Sequence, residues 1–184
     1  MQLSSRQALP VSQEVAWNAL NDAEILQASI PGCEALNPLG DDGYEVVVLA
    51  AVGPVKARFK GRLALSDLQP PSSYRLAFEG QGGAAGHGKG SAEVRLEPNG
   101  SNETVLHYTA TASVGGKIAQ IGQRLVDAAA QRMASEFFSS FDAQLRLRYA
   151  PSAATGDDAS AKAPGGGFWA RVWSWIMKLV TLRA

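Results

Sequence analysis

The ten residues 82–91, G-G-A-A-G-H-G-K-G-S, come within one residue of a phosphate-binding loop, and their reading decides between two folds. In the pattern G-x-x-x-x-G-K-[ST], glycines let backbone N–H groups wrap a phosphate, the lysine meets its charge and the hydroxyl holds Mg²⁺. Gly83, Gly88 and Lys89 fit, but Gly90 stands where the hydroxyl is needed and Ser91 comes one place late. Such a loop must also open a helix, whose N-terminus completes the anion site. The chain instead continues as SAEVRLE, in which Ala92, Val94 and Leu96 alternate with Glu93, Arg95 and Glu97, a strand period. Upstream, Tyr74, Leu76 and Phe78 alternate in the same way. Strand, glycine-rich turn and strand argue against a nucleotide site and for an antiparallel sheet. The overlapping weak dinucleotide fingerprint at 80–85 fails for the same reason.

Working outward, the run from 44 to 112 divides into five strands separated by turn signals. The clearest is VKARFKGRLAL (55–65): Val55, Ala57, Phe59, Gly61, Leu63 and Leu65 share one face and Lys56, Arg58, Lys60 and Arg62 the other. The four bases are either a stripe for an acidic partner or are neutralised across strands by Glu45, Glu79 and Glu93. Glycines inside the strands (Gly61, Gly80, Gly90) mark bends or close approaches. Asp41 and Asp42 before Gly43 read as a turn.

Before the strands, SQEVAWNALND begins with Ser12 as an N-cap candidate, and AEILQAS follows until Pro31 and Gly32 end it. After them, residues 115–148 run without proline. Ile118, Ile121, Leu125, Ala129, Met133, Phe137 and Phe141 recur every three or four positions, which predicts one long helix with an apolar face. The predicted order is strand, two short helices, antiparallel strands, long helix: an α+β chain whose curved sheet wraps the last helix. The apolar stripe is ordinary core on its plainest reading. Its small members, Gly122, Ala128, Ala129 and Ala130, face a sheet rich in Ala and Gly, which favours a cavity of the kind that holds a lipid-like molecule. The candidate wall is Phe59, Leu63, Phe78 and Tyr108 from the strands and Ile118, Ile121, Leu125 and Ala129 from the helix.

Composition bounds the rest. Among 184 residues, 17 basic and 17 acidic side chains cancel, against a nucleic-acid protein working through a general electrostatic footprint. One cysteine, Cys33, excludes an internal disulfide and a multi-cysteine metal site. The two histidines, His87 and His107, lack metal-ligand spacing, and Cys33 in I-P-G-C-E reads as a residue of a helix-ending turn rather than an activated thiolate. No catalytic constellation emerges, and the expectation is a protein that is not an enzyme, with no metal and no covalent cofactor. The first ten residues lack the apolar run of a signal peptide, so a cytoplasmic protein is expected.

Composition shifts near residue 150. Residues 150–167, APSAATGDDASAKAPGGG, offer nothing large to bury and predict a flexible linker of about 20–25 Å root-mean-square span after a domain over 1–149. Residues 168–184, FWARVWSWIMKLVTLRA, carry three of the four tryptophans. At 100° per residue, Arg171, Ser174, Lys178 and Thr181 form one polar sector, while Phe168, Trp169, Trp173, Trp175, Ile176 and Leu179 belong to the wide apolar remainder. As a helix this segment reaches about 25 Å, short of the roughly 30 Å hydrocarbon core, so it reads as an interfacial helix rather than a span. Tryptophan suits the headgroup boundary, and Arg171 and Lys178 add about 1 kcal/mol each on an anionic surface. The competing reading docks the same face on the protein's own domain or a partner.

Four stretches resemble one family in the right order: LNDAEILQASIPGCEAL (20–36), VGPVKARFKGRLALSDLQPP (52–71), GQGGAAGHGKGSAEV (80–94) and VGGKIAQIGQRLVDAAAQRMASEFF (114–138). The chain resembles the CoxG-like family of carbon-monoxide dehydrogenase subunits, within the START-like (SRPBCC) superfamily. That resemblance implies the helix-grip fold with a hydrophobic cavity. It also implies an accessory partner of a molybdenum hydroxylase that binds a lipid-soluble molecule such as a quinone and works at the inner face of the cell membrane, recruiting the enzyme or relaying an electron acceptor. The alternative is an assembly factor with a filled core. A cyclase-like or hydrolytic enzyme, which the superfamily permits, would need polar groups converging inside the cavity. The family offers no settled catalytic set to carry over.

Overall fold

In a computed structural model, residues 1–40 and 43–149 are described; the Asp41–Asp42 turn, the linker and the aromatic tail lie outside the described residues. The element order is β1 (Gln2–Leu9), α1 (Gln13–Leu20), α2 (Ala23–Ser29), β2 (Cys33–Pro38), β3 (Gly43–Val52), β4 (Val55–Gln69), β5 (Ser73–Gln81), β6 (His87–Pro98), β7 (Thr104–Gly115), α3 (Lys117–Gln120) and α4 (Gln123–Tyr149). The strands form one antiparallel sheet in the order β1-β7-β6-β5-β4-β3-β2. The five strands expected after residue 43 are all there, and the sheet wraps the last helix as the alternation required.

Two local readings need correction, and the N-cap at Ser12 stands where expected but without a side-chain bond. The I-P-G-C-E stretch is more than a turn: Cys33 opens an edge strand, which enters its pairing with β3 through a register shift between Cys33 and Ala35. Apolar alternation in so short a strand is too brief to register. Ser12 stands at the N-cap of α1 without a side-chain bond, whereas Asp22 caps α2 by accepting from the backbone N–H of Glu24 at 2.8 Å and of Ile25 at 3.1 Å. The long helix is broken at Gly122, whose φ of +97° ends α3 and restarts the chain as α4.

Beyond the break the apolar stripe keeps its inward face at Ala129, Met133, Phe137 and Phe141. Val126, Phe141 and Leu145 are the fully buried positions of α4, while Leu125 is 48% exposed. Side-chain size then grades along α4. Its second half inserts Phe137, Phe138, Phe141 and Leu145 among Leu9, Trp17, Leu20, Ile25, Leu96 and Leu106, a dense core closed by α1 and α2. Thr104 is completely buried there and donates its hydroxyl to Val11 O at 2.8 Å, so the core carries its polar groups in satisfied form. The first half presents Ala129 and Ala130, which cannot fill the same distance to the sheet, while Ala128 is exposed.

The outer face of the sheet shows how its charges are handled. Arg58 pairs with Glu34 of β2, a partner outside the three glutamates expected from the alternation. Glu93 pairs with Arg75 at 2.6 Å rather than with the β4 bases. Arg62 lies in register between Glu45 and Glu79, while Lys60 stands between Val47 and Gln81 and Lys56 opposite Ala51. Neutralisation therefore covers only part of the basic stripe.

Candidate functional site

The site begins with a line of missing side chains. Across the inner face, one register row runs Val46, Gly61, Gly80, Gly88, Val114, so three glycines lie side by side on β4, β5 and β6. At Gly61 the reason is steric, since a Cβ would run into the Glu79 carbonyl oxygen. At Gly80 and Gly88 a Cβ would touch nothing nearer than 3.8 Å, so these glycines are spaces rather than close contacts. Opposite the row stand the alanines of α4. Between them lies a cavity of about 300 Å³, walled by Phe59, Leu63, Phe78, Gly80, Gly88, Val114, Ile118, Val126, Ala129, Ala130 and Met133. Arg62 and Glu79 also border it, but they alternate with the wall residues and are exposed on the other face.

A second chamber of about 200 Å³ adjoins it at Ile30 and Leu63 and extends towards the dense core. Its wall includes Leu65, Leu76, Val94, Leu106, Phe137 and Phe138, together with three tyrosines, Tyr44, Tyr74 and Tyr108. Tyr108 stacks on Phe138 with centroids 5.2 Å apart, and Tyr74 meets Trp17 edge-on at 5.6 Å. The Tyr44 hydroxyl donates to Asn21 O at 3.2 Å, whereas the Tyr74 and Tyr108 hydroxyls have no hydrogen-bond partner among the described residues. Tyr74 is only 6% exposed. Among the described residues no fully buried side-chain polar atom lacks a partner, and Tyr74 lines both this chamber and the depression around Arg75 and Glu93.

Burial pushes the phenol of Tyr74 above the ordinary range, with the neighbouring Tyr44 adding to the effect. Burial raises Tyr44, helped by the Asp22 charge, and also Tyr108. All three are therefore neutral O–H donors at physiological pH. A lipophilic pair of chambers with two unused donors suits an uncharged apolar molecule bearing a hydrogen-bond acceptor.

Of the eight wall residues expected from sequence, Phe59, Leu63, Phe78, Ile118 and Ala129 line the larger chamber, and Leu63 and Tyr108 the smaller. Leu125 does not belong to either: it stands in the first turn of α4, on the rim of a groove. Ile121 is half-buried beside the β3–β4 turn, where a Cβ on Gly53 would lie 3.6 Å from its Cδ1. Tyr44 and Tyr74 are wall residues that the sequence did not reveal. Tyr74 sits in a strand whose alternation could have shown it facing inward, but nothing local says that its hydroxyl has no partner.

Other chemistry is sparse. Burial raises the Cys33 thiol, which donates to Ala35 O at 3.4 Å, the opposite of an activated thiolate. His107 pairs with Glu97 at 3.4 Å on the outer face and His87 is exposed. Among the described residues no cluster of three metal-ligating side chains occurs. The wide outer-face depression around Arg75, Glu93, Glu97 and His107 holds the cross-strand Arg75–Glu93 ion pair and the His107–Glu97 contact. Among the described residues no helix is long and apolar enough to cross a membrane.

The family model for CoxG, a subunit of carbon monoxide dehydrogenase, matches residues 8–146. The chain belongs to this family. Its sheet, helices and both chambers lie almost wholly within the matched span. Among solved structures, a conserved protein from Geobacillus kaustophilus is 31% identical, with a TM-score of 0.75 over 80% of this chain and 96% of that one. A START superfamily protein from Mycobacterium smegmatis, at 13% identity, superposes with a TM-score of 0.62 over 79% of this chain and 97% of that one. The Zhui aromatase/cyclase from Streptomyces sp. R1128, at 14% identity, gives 0.59 over 82% and 97%. These last two show the fold alone: this CoxG-family chain has the START-like helix-grip architecture. No curated protein matches the chain. Family and fold together fit a ligand-binding accessory protein.

Proposed function

We propose that the chain is a non-enzymatic carrier that serves a molybdenum hydroxylase of the carbon-monoxide dehydrogenase type. It takes up a lipid-soluble molecule, a quinone, in the paired chambers and brings this electron acceptor and the enzyme together at the membrane. One observation carries the reading: an apolar space floored by glycines and roofed by alanines, adjoined by a second chamber whose wall holds Tyr74 and Tyr108. A quinone carbonyl is an uncharged acceptor for that hydroxyl and for Tyr108, and its hydrocarbon tail would follow the larger chamber outward. Catalysis on such a ligand would need a general base or nucleophile beside it; the polar side chains of the inner wall are phenols held neutral, and Glu79 and Arg62 at the border are exposed on the other face.

The direct test is mass spectrometry of lipids extracted from the purified full chain, followed by titration with a decyl-substituted benzoquinone in mixed micelles. Retained quinone and saturable binding are expected; an empty protein that ignores the probe overturns the carrier reading. Tyr74→Phe keeps the ring and removes the donor. It should weaken quinone binding roughly three- to tenfold, the worth of one neutral hydrogen bond, and leave decylbenzene binding unchanged. Equal loss for both probes would mean that the residue acts by packing.

Membrane attachment is assigned to residues 168–184, with Trp169, Trp173 and Trp175 at the headgroup level and Arg171 and Lys178 on anionic lipid. In co-sedimentation with vesicles containing phosphatidylserine, the full chain should pellet and a chain ending at Tyr149 should lose most of its binding. If the two pellet equally, the tail docks on protein instead.

A further inference from the structure

Residues 80–90 carry six glycines, and four of them are accounted for by cavity and turn. Gly80 and Gly88 leave space in the chamber floor, while Gly83 and Gly86 take φ of +58° and +117° around the short 3-10 turn Gly83–Ala85. Gly82 and Gly90 neither line the larger chamber nor take a positive φ. What excludes a side chain at both is an aromatic ring. A Cβ on Gly90 would lie 2.5 Å from Phe78 Cζ, but it would also run into the Thr111 carbonyl oxygen, so ring and backbone exclude it together. At Gly82 the three nearest atoms all belong to one ring: a Cβ would strike Phe59 Cε1 and lie 2.7 Å from Cζ and 2.9 Å from Cδ1.

Register explains the contact. Lys60 pairs with Gln81, so one step further Phe59 and Gly82 face each other across β4 and the end of β5. Phe59 is on the inner face, walls the larger chamber and has Val48 of β3 as its register partner on the other side. With its ring laid over Gly82, the space between Gly61, Gly80 and the alanines Ala129 and Ala130 stays open. A methyl group at position 82 would force one of the two to give way. The backbone there is tied down, since Gly82 N–H donates to Gly86 O at 2.8 Å and Gly82 O accepts from Ala85 N–H at 3.2 Å. The ring has only to change its side-chain torsions, and the free volume beside it is the chamber.

We propose that Gly82, itself outside the chamber, sets the room for the ligand's hydrocarbon tail by seating the Phe59 ring against the sheet. It is a positioning residue that acts through Phe59, and it makes the chamber selective for a long apolar chain. For the identity of the ligand this rests on the carrier reading; the seating of the ring does not. A ring that merely shields a strand glycine is a common packing device, and it would change stability without changing tail binding.

The experiment uses the isotope-labelled full chain and micellar titrations. In the unaltered chain the Gly82 Hα resonances should be shifted upfield by the ring current, and Phe59→Val should remove that shift. Gly82→Ala should weaken decylbenzene and decyl-benzoquinone alike, roughly tenfold, the worth of about two methylenes denied their place. In a Phe59→Val background the same Gly82→Ala change should leave both affinities where Phe59→Val alone puts them, because the ring through which it acts is gone. Undiminished decylbenzene binding by Gly82→Ala overturns the proposal. So does an equal loss in the Phe59→Val background, which would assign the effect to the backbone. If decylbenzene binds and the quinone does not, the quinone reading fails while the positioning role stands. If neither binds, the carrier reading fails, and Gly82 Hα resonances without an upfield shift would overturn the seating of the ring as well.

Discussion

Gly88→Leu is expected to abolish uptake of a decyl-benzoquinone, a loss of roughly 100-fold or more, without unfolding the protein. The position lines the larger chamber at the β6 end of the glycine row, and a Cβ there meets only Ser113 O and Val114 Cγ1, each at 3.8 Å. No left-handed backbone stands in the way. A leucine side chain would occupy space that the ligand needs, and filling an apolar void while replacing a strand glycine stabilises rather than strains. Titration in micelles and a thermal melt separate the two effects: binding should vanish while the melting temperature holds or rises. Gly61→Ala is the internal contrast. It lies in the same row, but its Cβ would collide with the Glu79 carbonyl, so it should lower the melting temperature. Full quinone binding by Gly88→Leu would place the ligand elsewhere.

The second large effect concerns the opposite end of α4. Phe141→Ala should cost about 3–5 kcal/mol of stability, read as a shift in the urea midpoint, because Phe141 is 0% exposed and stacks on Phe137 with centroids 5.7 Å apart. Leu147→Ala, further along the same helix and 79% exposed, should stay within about 0.5 kcal/mol. Together with the Gly88 result, this would establish that one helix serves two purposes along its length. Bulky residues seal the core at one end, and small ones leave the chamber at the other.

How much of this was legible beforehand depends on the range of the interaction. β4 was readable because its alternation repeats over eleven residues, Val55 to Leu65, and each step reports the same burial. The rejection of a phosphate loop was equally secure, since it required only that β6 keep a strand period after Gly90. β2 escaped because a six-residue edge strand gives too few repeats. The missed break at Gly122 shows a different limit. A helical period runs through a glycine on paper, but a positive φ ends the helix there, so Leu125 stands in the exposed first turn of a new helix while Ala129, Met133, Phe137 and Phe141 keep the inward face.

From the sequence alone came the order of the elements, the faces of the long strands, the presence of small residues opposite one another and the resemblance to the family. What those small residues do was decided by tertiary structure. Gly61, Gly80 and Gly88 are separated by 19 and 8 positions in the chain and read locally as bends; the β4–β5 and β5–β6 registers set them side by side as the floor of a cavity. The meeting of Tyr44, Tyr74 and Tyr108 in one chamber wall arises in the same way. Periodicity records whether a residue faces in or out, because burial repeats along a single element. Which inward residues meet, and what space they leave, depends on strand register and chain closure, and these are fixed only when distant segments pack.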